Sequence, residues 1–100
     1  MLYCVKLSKQ ANRDIIKVYD HIKETFLAPL AAENFLRGIY ACVAQLETLA
    51  TAYAISSYQD VLRYGNNARS ANYKGFNIIY TIHGHYVLVH RIIHGSLIKM

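Results

Sequence analysis

Four residues in the last third of the chain carry the groups that cleavage of RNA through its 2′-hydroxyl would require. Arg69 and Arg91 can hold a phosphate as it gains negative charge, and His90 and His94 can move protons near neutral pH. The set is thinly equipped. From Val61 onward there is no Asp or Glu to orient a histidine or raise its pKa. Strict strand alternation would also send His90 and Arg91 to opposite faces, and Ile79, Leu88 and Ile92 would interrupt a basic surface. Each residue has a plainer reading. Arg69 begins a strand and fits a contact with a partner or an ordinary exposed arginine. Arg91 would reach the core face, with its stem packed and its guanidinium paired to Asp14 or Asp20. His94 fits either a strand end or a target-binding surface.

Metal chemistry is not expected. His83 and His85 flank Gly84 in a turn, with no Cys or carboxylate at ligand spacing, and nothing in the sequence calls for a cofactor.

The charge of the chain is lopsided. Of 100 residues, those up to Asp60 hold six basic and six acidic side chains, so the formal excess of +5 lies beyond it, in Arg63, Arg69, Lys74, Arg91 and Lys99. That half suits an anionic partner, either nucleic acid or an acidic protein segment, or a solvated basic face. An apolar content of 54% with 17% charged residues describes a packed chain, expected to form one domain over residues 1–100. Cys4 and Cys42 lie in apolar surroundings and read as reduced, buried thiols. No signal segment opens the chain and no apolar run approaches a membrane span, so a cytoplasmic protein without membrane contact is expected.

The elements that would position these residues follow from periodicity. Leu2–Leu7 is rich in β-formers and reads as a first strand, free to join either edge of a later sheet. Ser8 is a candidate N-cap, followed by Ala11, Ile15, Val18, Ile22 and Phe26 on one stripe of a helix to about Thr25. Pro29 opens a second helix, on which Phe35, Ile39, Cys42 or Val43, Leu46 and Leu49 recur. Leu36 and Tyr40 widen that stripe, so this helix either lies between layers or keeps a strip for a partner. The short link from Phe26 to Ala28 implies an antiparallel helix hairpin. Residues Thr51 to Asn67 read as a loop with at most one helical turn, its tyrosines packed over the sheet edge or free to stack.

Three strands then follow at Arg69–Tyr73, Phe76–His83 and Tyr86–His94, joined at Lys74-Gly75 and Gly84-His85. A two-residue turn at Gly84-His85 pairs Ile82 with Val87 and Tyr80 with Val89. Alternation then places Phe76, Ile78, Tyr80, Ile82, Val87, Val89 and Ile93 on the core face, leaving Tyr86, Leu88, His90, Ile92 and His94 on the other.

This order of elements resembles the toxins of the RelE/ParE superfamily of type II toxin–antitoxin, or plasmid stabilisation, systems. The resemblance spans nearly the whole chain. It rests on Leu7-Ser8, Asp14-Ile15, Tyr19-Asp20-His21-Ile22, Phe35, Leu46, Leu49, Arg69, Ile78-Ile79-Tyr80 and Val89-His90-Arg91-Ile92-Ile93-His94-Gly95. Arg-Ile-Ile-His-Gly after a valine-rich strand is similar to the ParE branch. The Pro and Gly that usually punctuate the loop after the second helix are absent from Ala50–Tyr58.

The resemblance implies an α+β fold: an N-terminal strand, then an antiparallel helix hairpin packed on one face of a small, mainly antiparallel four-stranded sheet. It implies a toxin that poisons DNA gyrase by binding it, with a cognate antitoxin in a toxin–antitoxin hetero-oligomer. Arg63, Arg69, Lys74, Arg91, His94, Leu36 and Tyr40 are then the candidate target- or antitoxin-binding residues. The alternatives are a RelE-like endoribonuclease acting on mRNA at the ribosome, with Arg69, Arg91, His90 and His94 catalytic, and an inactive fold retaining only antitoxin binding.

Overall fold

The computed structural model describes residues 2–95. Strand β1 (Cys4–Leu7) runs into helix α1 (Lys9–Asp20), which is extended by a π-helical turn at His21–Thr25. Helix α2 (Pro29–Leu49), a one-turn helix α3 (Gln59–Leu62) and strands β2 (Arg69–Tyr73), β3 (Phe76–His83) and β4 (Tyr86–His94) follow. The sheet order is β1-β4-β3-β2. β1 lies parallel to β4 and the other two pairings are antiparallel, so the first strand takes the edge beside the last one. β1 starts later than Leu2 because the Tyr3 N–H leaves the ladder to donate to the Glu47 carbonyl at 2.9 Å.

Ser8 caps α1 as its type allows, its hydroxyl accepting from the Ala11 N–H at 3.0 Å. Ala11 and Ile15 are fully buried, and Val18 and Ile22 pack against the same core. Phe26 does not continue the stripe and is 66% exposed. The reason is the π-helical turn just before it, whose wider winding rotates the following residue off the face that a 3.6-residue period would give.

α2 buries Ala32, Phe35, Ile39, Val43 and Leu46 against the sheet. Leu49 falls outside this face at 41% exposure, while Ala50 is buried in its place. Gly38 leaves room for the Tyr73 ring of β2, whose hydroxyl would clash with any β-carbon there. Both long helices cover the sheet face formed by Ala71, Ile78, Tyr80, Val87, Val89 and Ile92. The other face carries a smaller cluster of Val61, Ala68 and Ile79, flanked by Tyr64 and Ile93, under α3 and its loop.

At the β3–β4 turn, His83 pairs with Tyr86, Ile82 with Val87 and Tyr80 with Val89, as the two-residue turn requires. Gly84 supplies the positive φ, at 57°. Space at this position is open, since nothing lies within 4 Å of a β-carbon added there. Gly84→Ala is therefore expected to cost about 1 kcal/mol through backbone strain alone. Urea unfolding measures this, and an unchanged midpoint would show that the turn does not need the left-handed conformation.

Candidate functional site

The alternation of β4 breaks at His90. Ile79 pairs with Arg91 but Tyr80 pairs with Val89, so His90 is an additional residue inserted into the strand as a β-bulge. Beyond it the two faces are exchanged relative to strict alternation. Ile92 joins the core under the helices, and Ile93 joins the smaller cluster on the outer face. Arg91 is likewise turned away from the core face expected for it, and His90 and Arg91 share the outer face instead of opposing one another.

Contacts on that face are continuous. The Tyr64 ring lies 5.4 Å from the His90 ring, and its hydroxyl oxygen lies 3.5 Å from Arg91 Nη1. His90 Nε2 is 2.8 Å from Thr81 Oγ1, which is also 2.5 Å from His83 Nε2. One hydroxyl thus serves two imidazoles. Burial, with the neighbouring His83 as a smaller contribution, pushes the His90 pKa below its ordinary value.

Arg91 is committed to α1. Asp14, 6% exposed, accepts from Arg91 Nε at 2.8 Å, from Nη2 at 3.1 Å and from the Ile92 N–H at 2.9 Å. The hydrogen bond to Asp14 raises the Arg91 pKa above the usual arginine value, against a smaller opposing effect of burial. The expected Asp14 pairing is present, although it is reached from the outer side of the bulge. Next to it, the Ser8 hydroxyl donates to the His90 carbonyl at 2.8 Å and the Ser8 N–H to the Val89 carbonyl at 2.9 Å. The β1–α1 junction is therefore bolted to the bulge.

Arg69 lies on the helix side of the sheet, opposite Tyr80 in the β2–β3 ladder. Its Nη1 donates to the carbonyls of Thr51, at 3.4 Å, and Tyr53. The buried Tyr80 hydroxyl donates to the Ala50 carbonyl at 2.6 Å, and burial pushes its pKa up to about 12. Together the two side chains satisfy carbonyls of the C-cap of α2, Ala50, and of the loop just beyond it. This gives the loop after α2 its shape without Pro or Gly.

The remaining candidates are dispersed. His94, exposed, meets the Phe76 ring edge-on at 5.4 Å on the helix side of β4, which the bulge has brought round. Arg63 and Lys74 are exposed, over Tyr64 and Tyr73 respectively. Leu36 packs partly into the core, whereas Tyr40 is 43% exposed. The larger apolar exposure is at the hairpin tip, where Phe26, Leu27 and Leu30 are 66%, 82% and 72% exposed.

Sequence reasoning missed the convergence of Tyr64, His90 and Arg91. The signal that could have shown it is the pair of adjacent polar residues within Val87-Leu88-Val89-His90-Arg91-Ile92-Ile93, where simple alternation allows one at a time. Cys4 is exposed, in contrast to the buried thiol expected there, because it points outward from an edge strand. No helix among the described residues is long and apolar enough to cross a membrane.

The model of the ParE toxin of the parDE type II toxin–antitoxin system matches residues 5–98. The chain belongs to the ParE toxin family. Among solved structures, a chain of the chromosomal ParDE TA system from P. aeruginosa superposes with a TM-score of 0.77. The superposition covers 93% of this chain and 96% of that one at 19% identity, a likeness of fold. Curated protein sequences gave no match. In this ParE-family chain the Arg91 motif is thus part of the junction that holds α1 against β4.

Asp14→Ala is expected to cost about 2–3 kcal/mol, below the about 3–5 kcal/mol for breaking a fully buried ion pair because the Arg91 side chain is 31% exposed. The double variant Asp14→Ala/Arg91→Met should lose less than the sum of its single variants, and additive losses by urea unfolding would argue against coupling. His90 gives a pH signature. Its pKa is lower in the folded than in the unfolded chain, so as pH falls through the usual 6.5 the unfolded chain takes up its proton first and stability drops. His90→Gln should remove that component of the decline between about pH 7.5 and about pH 5.5. An identical pH slope in the variant would exclude His90 as its source.

Proposed function

We propose that this protein is the toxin of a type II toxin–antitoxin pair, that it arrests growth by binding and poisoning DNA gyrase, and that a cognate antitoxin neutralises it. The observation that carries a contact mechanism over a catalytic one is the separation of the four candidate catalytic residues. Arg69 is engaged with backbone carbonyls on the helix side, and Arg91 is held by Asp14 on the outer side. His90 has a lowered pKa and is bonded to Thr81, while His94 lies against Phe76 across the sheet. Cleavage of RNA requires a base, an acid and a cation around one phosphate, whereas binding tolerates their dispersal. Membership of the ParE family supports the same reading.

The antitoxin is expected to cover the exposed apolar side chains of the helix hairpin, with acidic residues meeting the basic half of the chain. Leu27, Leu30 and Tyr40 offer the apolar contacts, and Arg63 and Lys74 are exposed cations. A disordered acidic segment folding there would bury apolar area and neutralise charge together.

Two measurements test the proposal. With purified protein, gyrase supercoiling should be inhibited with accumulation of cleaved DNA while cell-free translation continues. Cut mRNA with normal supercoiling would replace this reading with the ribonuclease one, and no effect in either assay would leave a fold retaining only antitoxin binding. For the antitoxin, Leu30→Ser with Tyr40→Ser should raise the dissociation constant at least about tenfold, in keeping with the loss of two buried apolar contacts. An unchanged constant by titration calorimetry would place the antitoxin elsewhere.

A further inference from the structure

We infer that the open part of the outer sheet face is a docking strip for a single strand of nucleic acid. The strip is a chain of contacts between rings and cations running across three strands. Lys6 Nζ on β1 lies 4.9 Å from the centre of the Tyr86 ring on β4, and that ring stacks on His83 of β3, at 5.1 Å and 22°. His83 and His90 share the Thr81 hydroxyl, His90 faces Tyr64, and the Arg63 guanidinium lies 5.6 Å from the centre of the Tyr64 ring.

Several physical features favour a nucleic acid strand over other occupants. Among the described residues, α1 and α2 lie on the opposite face, and the small outer cluster under α3 covers only the part of the sheet near Ile79 and Ile93. The rings at the Tyr86 end are left open, with Tyr86 37% exposed and Lys6 and His83 also exposed. Each strand-borne ring is fixed by its neighbours, so a base that stacks against it meets a surface already ordered. Cations stand at both ends, Lys6 at one and Arg63 at the other, where they can neutralise phosphates while the rings between them meet bases. An acidic peptide would use the cations but leave the stacked imidazole and phenol rings idle. This inference reaches beyond a protein target to the nucleic acid such a target holds, and it stands on contacts that the gyrase reading does not use.

The test uses the full chain and fluorescence anisotropy at low salt, with three labelled probes: an oligothymidylate of on the order of 12 nucleotides, an abasic strand of equal length, and a polyglutamate peptide. The oligothymidylate should bind, the abasic strand roughly tenfold more weakly for want of stacking, and polyglutamate more weakly still. Tyr86→Ala and His83→Ala should each weaken oligothymidylate binding roughly five- to tenfold with unchanged circular dichroism. Arg63→Glu should flatten the salt dependence. Absence of binding, equal affinity for the abasic strand, tighter polyglutamate binding, or wild-type affinity in both ring variants would each overturn the inference. Supercoiling assays on the same preparations keep the two proposals apart. Gyrase inhibition without oligonucleotide binding rejects the strip alone, and oligonucleotide binding without gyrase inhibition supports the strip while rejecting gyrase as the target.

Discussion

The Asp14 carboxylate is the constraint on which the arrangement of this molecule depends. β1 runs beside β4 only from Tyr86 to Val89, and beyond that point the edge of β4 has no neighbouring strand among the described residues. An unpaired backbone N–H beside a core residue such as Ile92 carries a desolvation cost. Asp14 supplies the acceptor, and Arg91 on the same strand neutralises the charge this brings into a buried place. One side chain therefore ends the sheet, seats α1 and fixes the orientation of the guanidinium.

The bulge at His90 is the other half of this junction. It allows one strand to serve two interiors: Val87, Val89 and Ile92 face the helices, while Ile93 faces the small cluster under α3. Without the additional residue, Ile92 would face outward and Arg91 would have to enter the apolar layer. The bulge also twists the polar pair toward Tyr64, so the same irregularity that completes the core assembles the outer-face contacts.

Much of this was legible in the residues. The last three strands, the span of α2, the Ser8 cap and the pairing across Gly84-His85 follow from local chemistry: β-formers bounded by turn residues, Pro at a helix start, and a glycine where φ must be positive. The order of elements with Val89-His90-Arg91-Ile92-Ile93-His94-Gly95 led to the ParE family. What was not legible depends on geometry that periodicity averages away. The π-helical turn at His21–Thr25 carried Phe26 out of its stripe, and the bulge reversed the faces of Arg91, Ile92, Ile93 and His94. Arg69 could be placed at the start of a strand, but its engagement with the carbonyls of Thr51 and Tyr53 depends on where a loop of another element passes.

The parallel pairing of β1 with β4 also bears on how the protein comes into being. Among the described residues, the first strand lies beside the last, and the contacts that lock this junction, Ser8 with His90 and Asp14 with Arg91, span 82 and 77 residues of sequence. β4 is moreover an interior strand, flanked by both β1 and β3. A chain emerging from the ribosome can therefore form the helix hairpin early, but it cannot close the sheet until β4 has been made. Synthesis interrupted before β4 leaves β1 without its neighbour and α1 without the strand it packs on. Such a fragment has no completed outer face, so the four-stranded sheet assembles only once β4 has followed the rest of the fold.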